Sequence, residues 1–489
     1  MAHVELLTVE NTLTRNKNAH QQALQFLLAV ESPEYHKQVD VLWSGHDGIW
    51  HTLPAHYQGP RGENQEFWQA RVTLSAKSGK KLPGDIHFAV RLRYNADELW
   101  DNNQGWNYHC RQGSGLTLIG DLPLQNLSFK QSLDDDQQFV QVKVALNPAL
   151  DAESVVIHWT TDNWRQSRQT PCHYNKRQKR QGAQIWTARL KVSDAFALEY
   201  SITCKTRYQE LWDNNRGKNY RIAREPLRVM ILNLHCYQED RQDDKFSQIA
   251  KAIDEQAVDV VCLQEVAEHW NDGRGDWPSN AANIINQRLK QAMHLYTDWS
   301  HLGFDKYREG VAILSRYPLE YTHSRYVSDS HDPYSIHSRK VVMARVRVPL
   351  MGAINVFSAH LSWWEDGFQQ QFQRLREWAD SQLNDTAKTN LLCGDFNIEA
   401  GSIGYQQVVN SQQYEDQYLA ANHHGLFEKI FRVDDPHWGR LMTEDYRIDY
   451  IFMNNTGDLR VTSARVLFTE RDYGQVSDHC GYLMTFEPK

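Results

Sequence analysis

The chain of 489 residues carries 53 Lys and Arg against 61 Asp and Glu, a formal net charge of −8, and its length suggests about three domains of ~150 residues. The imbalance is uneven: residues 1–225 hold 27 basic against 24 acidic side chains, and residues 226–489 hold 26 against 37. The acidic half argues against a long phosphate backbone as partner, since non-specific nucleic-acid affinity comes from Lys and Arg, and no apolar run approaches the ~18 residues of a membrane span.

In chain order, the first predicted elements are short strands. FLLAV, VDVLW and ARVTL come first, then VQVKVAL, VVIHW and ARLKV, with turn residues between them. Period-2 strands at regular spacing predict β-sandwiches. The two groups are copies of one another. ELWDNNQGWNY at Glu98–Tyr108 recurs as ELWDNNRGKNY at Glu210–Tyr220, and the stretches upstream match as well. An internal repeat of this length marks a duplicated small domain. The reading is two immunoglobulin-like all-β sandwiches, residues 1–118 and 119–225.

After Pro226 the texture changes. LRVMILNL and VDVVCLQE are continuous apolar runs that predict buried strands. Between them DDKFSQIAKAIDEQ places Phe246, Ile249, Ala250 and Ile253 at helical spacing behind an Asp that predicts an N-cap. GVAILS, AINVFSAHL, NLLCGDFN and RIDYIFM predict further strands, and helices are predicted over 279–293 and 368–383. Interspersed strands and helices make residues 226–489 a layered α/β domain. The seven cysteines include no pair at zinc spacing, and several sit in apolar runs. They read as free thiols of a reducing compartment. With no basic-then-apolar leader at the N-terminus, the expectation is a soluble, cytoplasmic protein.

Polar residues sit at the ends of these apolar strands, where layered sheets place their chemistry. They are Asn233, Glu265, Glu309, His360, Asp395, Asn397, Asp449, Asp478 and His479. Each alone is weak: Asp-x-Asn is a common turn, and a histidine after a strand is usually a surface residue. The ordered set N…QE…H…GDFN…RIDYIF…SDH is specific, and with it residues 227–489 resemble the endonuclease/exonuclease/phosphatase superfamily, of the deoxyribonuclease-like fold. That resemblance implies a four-layer α/β sandwich of two packed mixed sheets and a phosphoesterase that uses a divalent metal. Phosphate oxygens repel a nucleophile, and a hard cation held by carboxylate and amide oxygens neutralises that charge. By the resemblance, Glu265, Asn233 and Asp478 would hold Mg²⁺, with Mn²⁺ as alternative. Asp395 would orient and deprotonate the attacking water, and Asn397 would position that water or a phosphate oxygen. His479, oriented by Asp449, would contact phosphoryl oxygens, and His360 with Glu309 would form a second such pair. Arg339 and Lys340 either add positive charge there or form a solvated strand end.

The catalytic set does not choose the phosphoester, because one fold hosts many activities. Trp363 and Trp364, in HLSWWEDGF, form either an apolar wall beside the site or core packing. The HLxWWxDGF pattern also resembles bacterial maltose 6'-phosphate phosphatases of this superfamily. WDNNxGxNY resembles the signature of starch- and glycogen-binding modules. Aromatic faces would stack on glucose rings there, and amides would bond hydroxyls. Candidate sugar contacts are Trp50, Trp100, Asn103, Asn107 and Tyr108 in the first copy, and Trp164, Trp212, Asn215, Asn219 and Tyr220 in the second. The sequence thus points to a Mg²⁺-dependent phosphatase of a phosphorylated α-glucoside or glucan. A nuclease or a nucleotide or lipid phosphodiesterase is the alternative, and a glucan-tethered scaffold the third reading.

Overall fold

The computed structural model describes residues 2–16, 19–31, 36–76, 81–129, 132–134, 136–174, 182–422 and 447–489. The chain divides into two compact units, Met1–Glu225 and Pro226–Lys489.

Within the first unit, one sandwich faces a five-stranded antiparallel sheet (in spatial order Gly115–Leu118, His3–Asn16, Ala19–Glu31, Gln65–Ser75, His56–Arg61) against a second sheet built on Lys37–Ser44 and Ile86–Tyr94. A second sandwich follows, built on Phe139–Leu146 with Gln184–Lys191 and on Ala152–Thr160 with Ala197–Thr206. FLLAV shows how the two are joined. Phe26, Leu28 and Val30 point into the first core, whereas Leu27 and Ala29 enter the core of the second sandwich with Leu7 and Phe67. A strand buried on both faces cannot alternate apolar with polar, which is why this run is continuously apolar. The tandem therefore shares a hydrophobic core instead of sitting on a flexible linker.

The second unit runs β1 (Leu227–Asn233), α1 (Gln242–Glu255), β2 (Val260–His269), α2 (Ala281–Gln287), β3 (His294–Gly303), β4 (Tyr307–Ser315), β5 (Leu319–Tyr326), β6 (Lys340–Val348), β7 (Gly352–His360), α3 (Phe368–Ser381), β8 (Thr389–Asp395), α4 (Ile403–Val409), β9 (Tyr414–Asp416), α5 (Gln417–Ala421), β10 (Asp449–Asn454), β11 (Leu459–Leu467) and β12 (Gly481–Pro488). Two six-stranded mixed sheets result, ordered β3-β4-β2-β1-β12-β11 and β5-β6-β7-β8-β10-β9. Each has one parallel pair, β1 with β2 and β7 with β8. Each pair is joined through a helix, α1 or α3, as a parallel connection requires. Val229, Ile231, Cys262 and Ile313 of one sheet meet Val342, Val356, Leu391 and Ile451 of the other. α1 and α2 cover one outer face, and α3 and α4 cover the other. This is the four-layer sandwich expected.

α1 is held by its apolar stripe. Phe246, Ile249 and Ile253 are fully buried, each stabilising by about 1.5–3 kcal/mol relative to exposure. The predicted Asp N-cap is corrected. The helix begins at Gln242 after Arg241 in the left-handed region, and Asp243 and Asp244 lie in the first turn, favourably placed for the helix dipole. The helix predicted over 279–293 is shorter, because Asn280 caps Ala281–Gln287 and Asn286 bonds the Met293 amide, drawing the chain out of the helix. All seven cysteines are buried free thiols. Among the described residues no helix is long and apolar enough to cross a membrane.

Candidate active site

The two parallel pairs end at one constellation. Asn233 closes β1, His360 closes β7 and Asp395 closes β8, while Glu265 lies in β2 one residue beyond the Asn233–Gln264 pair. The pairing of β2 with β4 shifts between Leu263 and Val266, and Glu265 has a φ of 48°. This bulge turns its carboxylate out of the strand's alternation and towards the site.

Asn233 Nδ2 donates to Glu265 Oε1 at 2.9 Å and to Asp395 Oδ2 at 3.0 Å. Its amide oxygen accepts from the His235 backbone N–H, 3.0 Å away. That backbone donor fixes the amide's orientation. Asn233, expected as a metal ligand, is thus placed as a donor clamping two carboxylates together.

Asp395 is enclosed. Its neighbour across the parallel pair is His360, and across the antiparallel pair it is Asp449. The Asn397 backbone N–H donates to Asp395 Oδ1 at 2.9 Å, and Asn397 itself is tied through Nδ2 to the Leu361 carbonyl. Burial, then the Asp449 charge, pushes the Asp395 carboxyl up to about 7. Glu265 is pushed to about 7 by burial and then by Glu309, with Asp478 adding to it. Two carboxyls poised near neutrality in one site are a common mark of function.

His479 Nδ1 lies 2.8 Å from Asp449 Oδ2, and its Nε2 lies 3.8 Å from Asp395 Oδ2. Burial opposes its charge, but Asp449, Asp395 and Asp478 together hold its pKa well above the usual histidine value. His360 goes the other way: burial first, then Arg339, His301 and His479, hold it well below that value. The site thus sets a cationic imidazole beside a neutral one.

The expected pair of His360 with Glu309 is corrected. Glu309 lies opposite His301 in the β3–β4 register, and their side chains meet at 3.4 Å. His360 Nε2 instead faces Asp395 Oδ2 at 3.7 Å. The sequence reading missed His301 because it lies inside β3 with no motif around it. It also missed His235 and Glu239, whose imidazole and carboxylate meet at 2.8 Å beside Asp478. The NLHCYQE run held that signal, a histidine and a glutamate four apart directly after Asn233.

Arg339 and Lys340 separate. Arg339 donates to Ser362 Oγ beside the His360 loop, whereas Lys340 pairs with Asp298 at 3.0 Å and lies over the Tyr326 ring. Of the adjacent tryptophans, both half-buried, Trp364 packs on Phe368 and beside Gly404, against the core under α3.

A divalent cation, which the fold family implies, fits the donors present. Glu265, His360 and Asp395 offer ligand atoms within 4.8 Å of one another, as do Asp395, Asp449 and His479, and also His235, Glu239 and Asp478. Asp449 Oδ1 is buried with no hydrogen-bond partner among the described residues. Such an excess of hard, partly orphaned oxygens suits a hard cation.

In the first unit, the two WDNN segments fold identically. Asn103, Asn107, Asn215 and Asn219 have φ of 51–55°, a left-handed backbone that Asn tolerates. Asn103 Nδ2 donates to the Asn107 carbonyl, and Asn215 Nδ2 to that of Asn219. Tyr108 donates to Asp101, and Tyr220 to Asp213. The Asn103 and Asn215 amides and both phenols are thus hydrogen-bonded within the turn. Asn215 is further sealed, bonding Pro60 O and Gly62 N of the first sandwich. The tryptophans remain outward: Trp50 is 49% exposed, Trp100 43%, Trp164 36% and Trp212 59%.

Comparison with known proteins agrees with this architecture. The profile of the endonuclease/exonuclease/phosphatase family matches residues 230–479, and that of the carbohydrate/starch-binding module, family 21, matches residues 122–223. The uncharacterized protein YbhP of Escherichia coli K12 is 27% identical over 263 residues, covering 52% of this chain and 93% of its own length. Two solved structures are also similar. An endonuclease/exonuclease/phosphatase family protein from Leptotrichia buccalis C-1013-b is 25% identical with a TM-score of 0.45, covering 53% of this chain and 99% of its own. The mannosyl-6-phosphatase of Bacteroides thetaiotaomicron VPI-5482 is 16% identical with a TM-score of 0.40, covering 53% and 99%. With the family profile spanning half of its length, the chain belongs to the endonuclease/exonuclease/phosphatase family.

Proposed function

We propose that residues 226–489 hydrolyse the phosphomonoester of a phosphorylated α-glucoside, such as maltose 6'-phosphate or a phosphorylated maltodextrin, in a Mg²⁺-dependent reaction that Mn²⁺ also supports. Glu265 and Asp478, with Asn233 through its amide oxygen, would hold the cation, whose charge would neutralise phosphoryl oxygens and open phosphorus to attack. Asp395, gripped by Asn233 and Asn397, orients a water and takes its proton. The water oxygen bonds to phosphorus as the ester P–O bond breaks, and the sugar oxygen leaves with that electron pair and takes a proton from solvent to become the free hydroxyl. His479, kept cationic by Asp449, receives the phosphoryl oxygens, and Arg339 adds charge from the His360 side. Trp363 forms the apolar wall for a sugar ring.

The observation that carries the sugar is the match of residues 122–223 to a starch-binding module on the same chain, with exposed tryptophans in both repeats. The free thiols support a reducing, cytoplasmic location. α-Glucan would be the polymer partner, and two binding loops on one body raise avidity through effective concentration. The acidic second unit disfavours nucleic acid.

A panel of sugar phosphates, nucleotides, plasmid DNA and sphingomyelin, each with Mg²⁺ and with EDTA, tests the reading. Preferential phosphate release from phosphorylated maltosides is the expected result. Nicking of plasmid at low enzyme concentration would replace it with a nuclease. Affinity electrophoresis in glycogen tests the sugar-binding unit, and unretarded migration would remove the reason for a glucan.

A further inference from the structure

The loop after β1 holds two side chains that the mechanism above does not use, His235 and Glu239. His235 takes a left-handed backbone, with φ 46°, and its N–H is fixed to Asn233. The Gln238 N–H returns to the His235 carbonyl at 3.0 Å, which closes a turn and folds Glu239 back onto the ring. Glu239 Oε1 then sits 2.8 Å from His235 Nδ1, and Glu239 Oε2 accepts from Lys245 of α1. The same Nδ1 lies 3.6 Å from Asp478 Oδ1. His235 is thus anchored at its backbone by Asn233 and at its ring by a carboxylate that a lysine holds in turn.

The contacts of Asp478 are one-sided. Oδ1 accepts from Ser477 Oγ at 3.3 Å and faces His235 and, at 3.9 Å, His479. Among the described residues, no hydrogen bond falls on Oδ2. Oδ1 takes the Ser477 hydrogen bond and the ion-pair contact of His235 at 3.6 Å, which leaves Oδ2 to meet a cation, and outer partners of this kind orient a metal ligand.

We infer that His235, locked by the Glu239–Lys245 pair, is a positioning residue that holds Asp478 for the divalent cation. This rests on the metal-dependent reading of the site. His235 acts only through Asp478, so its loss should weaken cation binding while leaving the chemical step with saturating cation nearly intact. Loss of such outer partners typically weakens metal binding by about 10–100-fold.

The test is calorimetric titration of Mn²⁺ into the metal-stripped full chain, with Mn²⁺ dependence of phosphoester hydrolysis in parallel. His235→Ala should weaken Mn²⁺ binding about tenfold or more, with kcat at saturating Mn²⁺ within about threefold of wild type. His235→Asn, whose amide nitrogen can occupy the place of Nδ1, should recover most of the affinity. Glu239→Gln should fall between them, and it guards against misfolding of the alanine variant. Unchanged Mn²⁺ affinity in all three would overturn the inference. So would a loss of kcat with affinity intact, which would place His235 against substrate. No Mn²⁺ binding by the wild type would overturn the metal reading itself.

Discussion

His479 and Asp449 come from segments thirty residues apart, yet their side chains meet at 2.8 Å, with His479 Nε2 directed at Asp395. The carboxylate fixes the imidazole's orientation and sustains its charge, which is what a histidine serving phosphoryl oxygens needs. Asp449→Asn keeps the shape and removes the charge. It should lower kcat/KM on a phosphomonoester by about 10²–10⁴-fold. Steady-state kinetics with a parallel circular dichroism spectrum checks this, and near-wild-type activity would refute the role.

The carboxyls of Asp395 and Glu265, both raised to about 7, give the metal-free protein a definite pH response. Raised acids bind protons more tightly folded than unfolded. Stability from these groups is therefore present at low pH and declines as pH rises from about 4.5 towards 7. A cation needs them deprotonated, so its affinity should fall as pH drops below 7 and binding should release protons. Thermal shifts with Mg²⁺ should be larger at pH 8 than at pH 6. Titrations in two buffers of different ionisation enthalpy should report proton release, and identical heats in both would contradict it.

The two adjacent tryptophans should behave oppositely. Trp364→Ala removes packing of a half-buried ring against Phe368 and Gly404 and should cost about 1–2 kcal/mol of stability. Trp363→Ala should leave the melting temperature unchanged and raise KM about 5–20-fold, the scale of one lost ring contact. Denaturation and kinetics on both variants separate the cases.

The two WDNN loops offer a matched comparison. Asn215→Ala leaves Gly62 N–H and the Pro60 and Asn219 carbonyls without their partner and should destabilise the first unit by about 1–3 kcal/mol. Asn103→Ala loses a solvent-exposed bond to Asn107 and should cost about 0.5–1 kcal/mol. Calorimetric melting of the full chain would show the difference. Equal losses would mean that the contact with the first sandwich contributes nothing.

Much of this was legible in sequence because it was local. Asn233, His360 and Asp395 close continuous apolar strands, and β1, β2, β7 and β8 announced themselves by composition. The repeat was readable because ELWDNN recurs nearly unchanged. What was not legible depended on non-local register. Glu309 meets His301, and not His360, because β4 pairs with β3. Trp363 and Trp364 are equivalent as letters and equally half-buried, and only the tertiary structure seats Trp364 on Phe368 and beside Gly404. Asn103 and Asn215 occupy the same motif, yet the hairpin at Gly62, over 150 residues before Asn215, buries only the second. The Asn103 and Asn215 amides bond first within their own left-handed turns, a local feature that the motif did contain.

The central claim is a metal-dependent phosphatase acting on a phosphorylated glucose unit. Its most direct measurement is inorganic phosphate release from maltose 6'-phosphate by the full chain, with Mg²⁺, with EDTA and with Asp395→Ala. The expected result is turnover with Mg²⁺ at least about tenfold better in kcat/KM than on unrelated sugar phosphates, a difference of about 1.4 kcal/mol in barrier, and none in the other two conditions. Turnover that survives EDTA or Asp395→Ala, or that shows no preference for the maltoside, would contradict it.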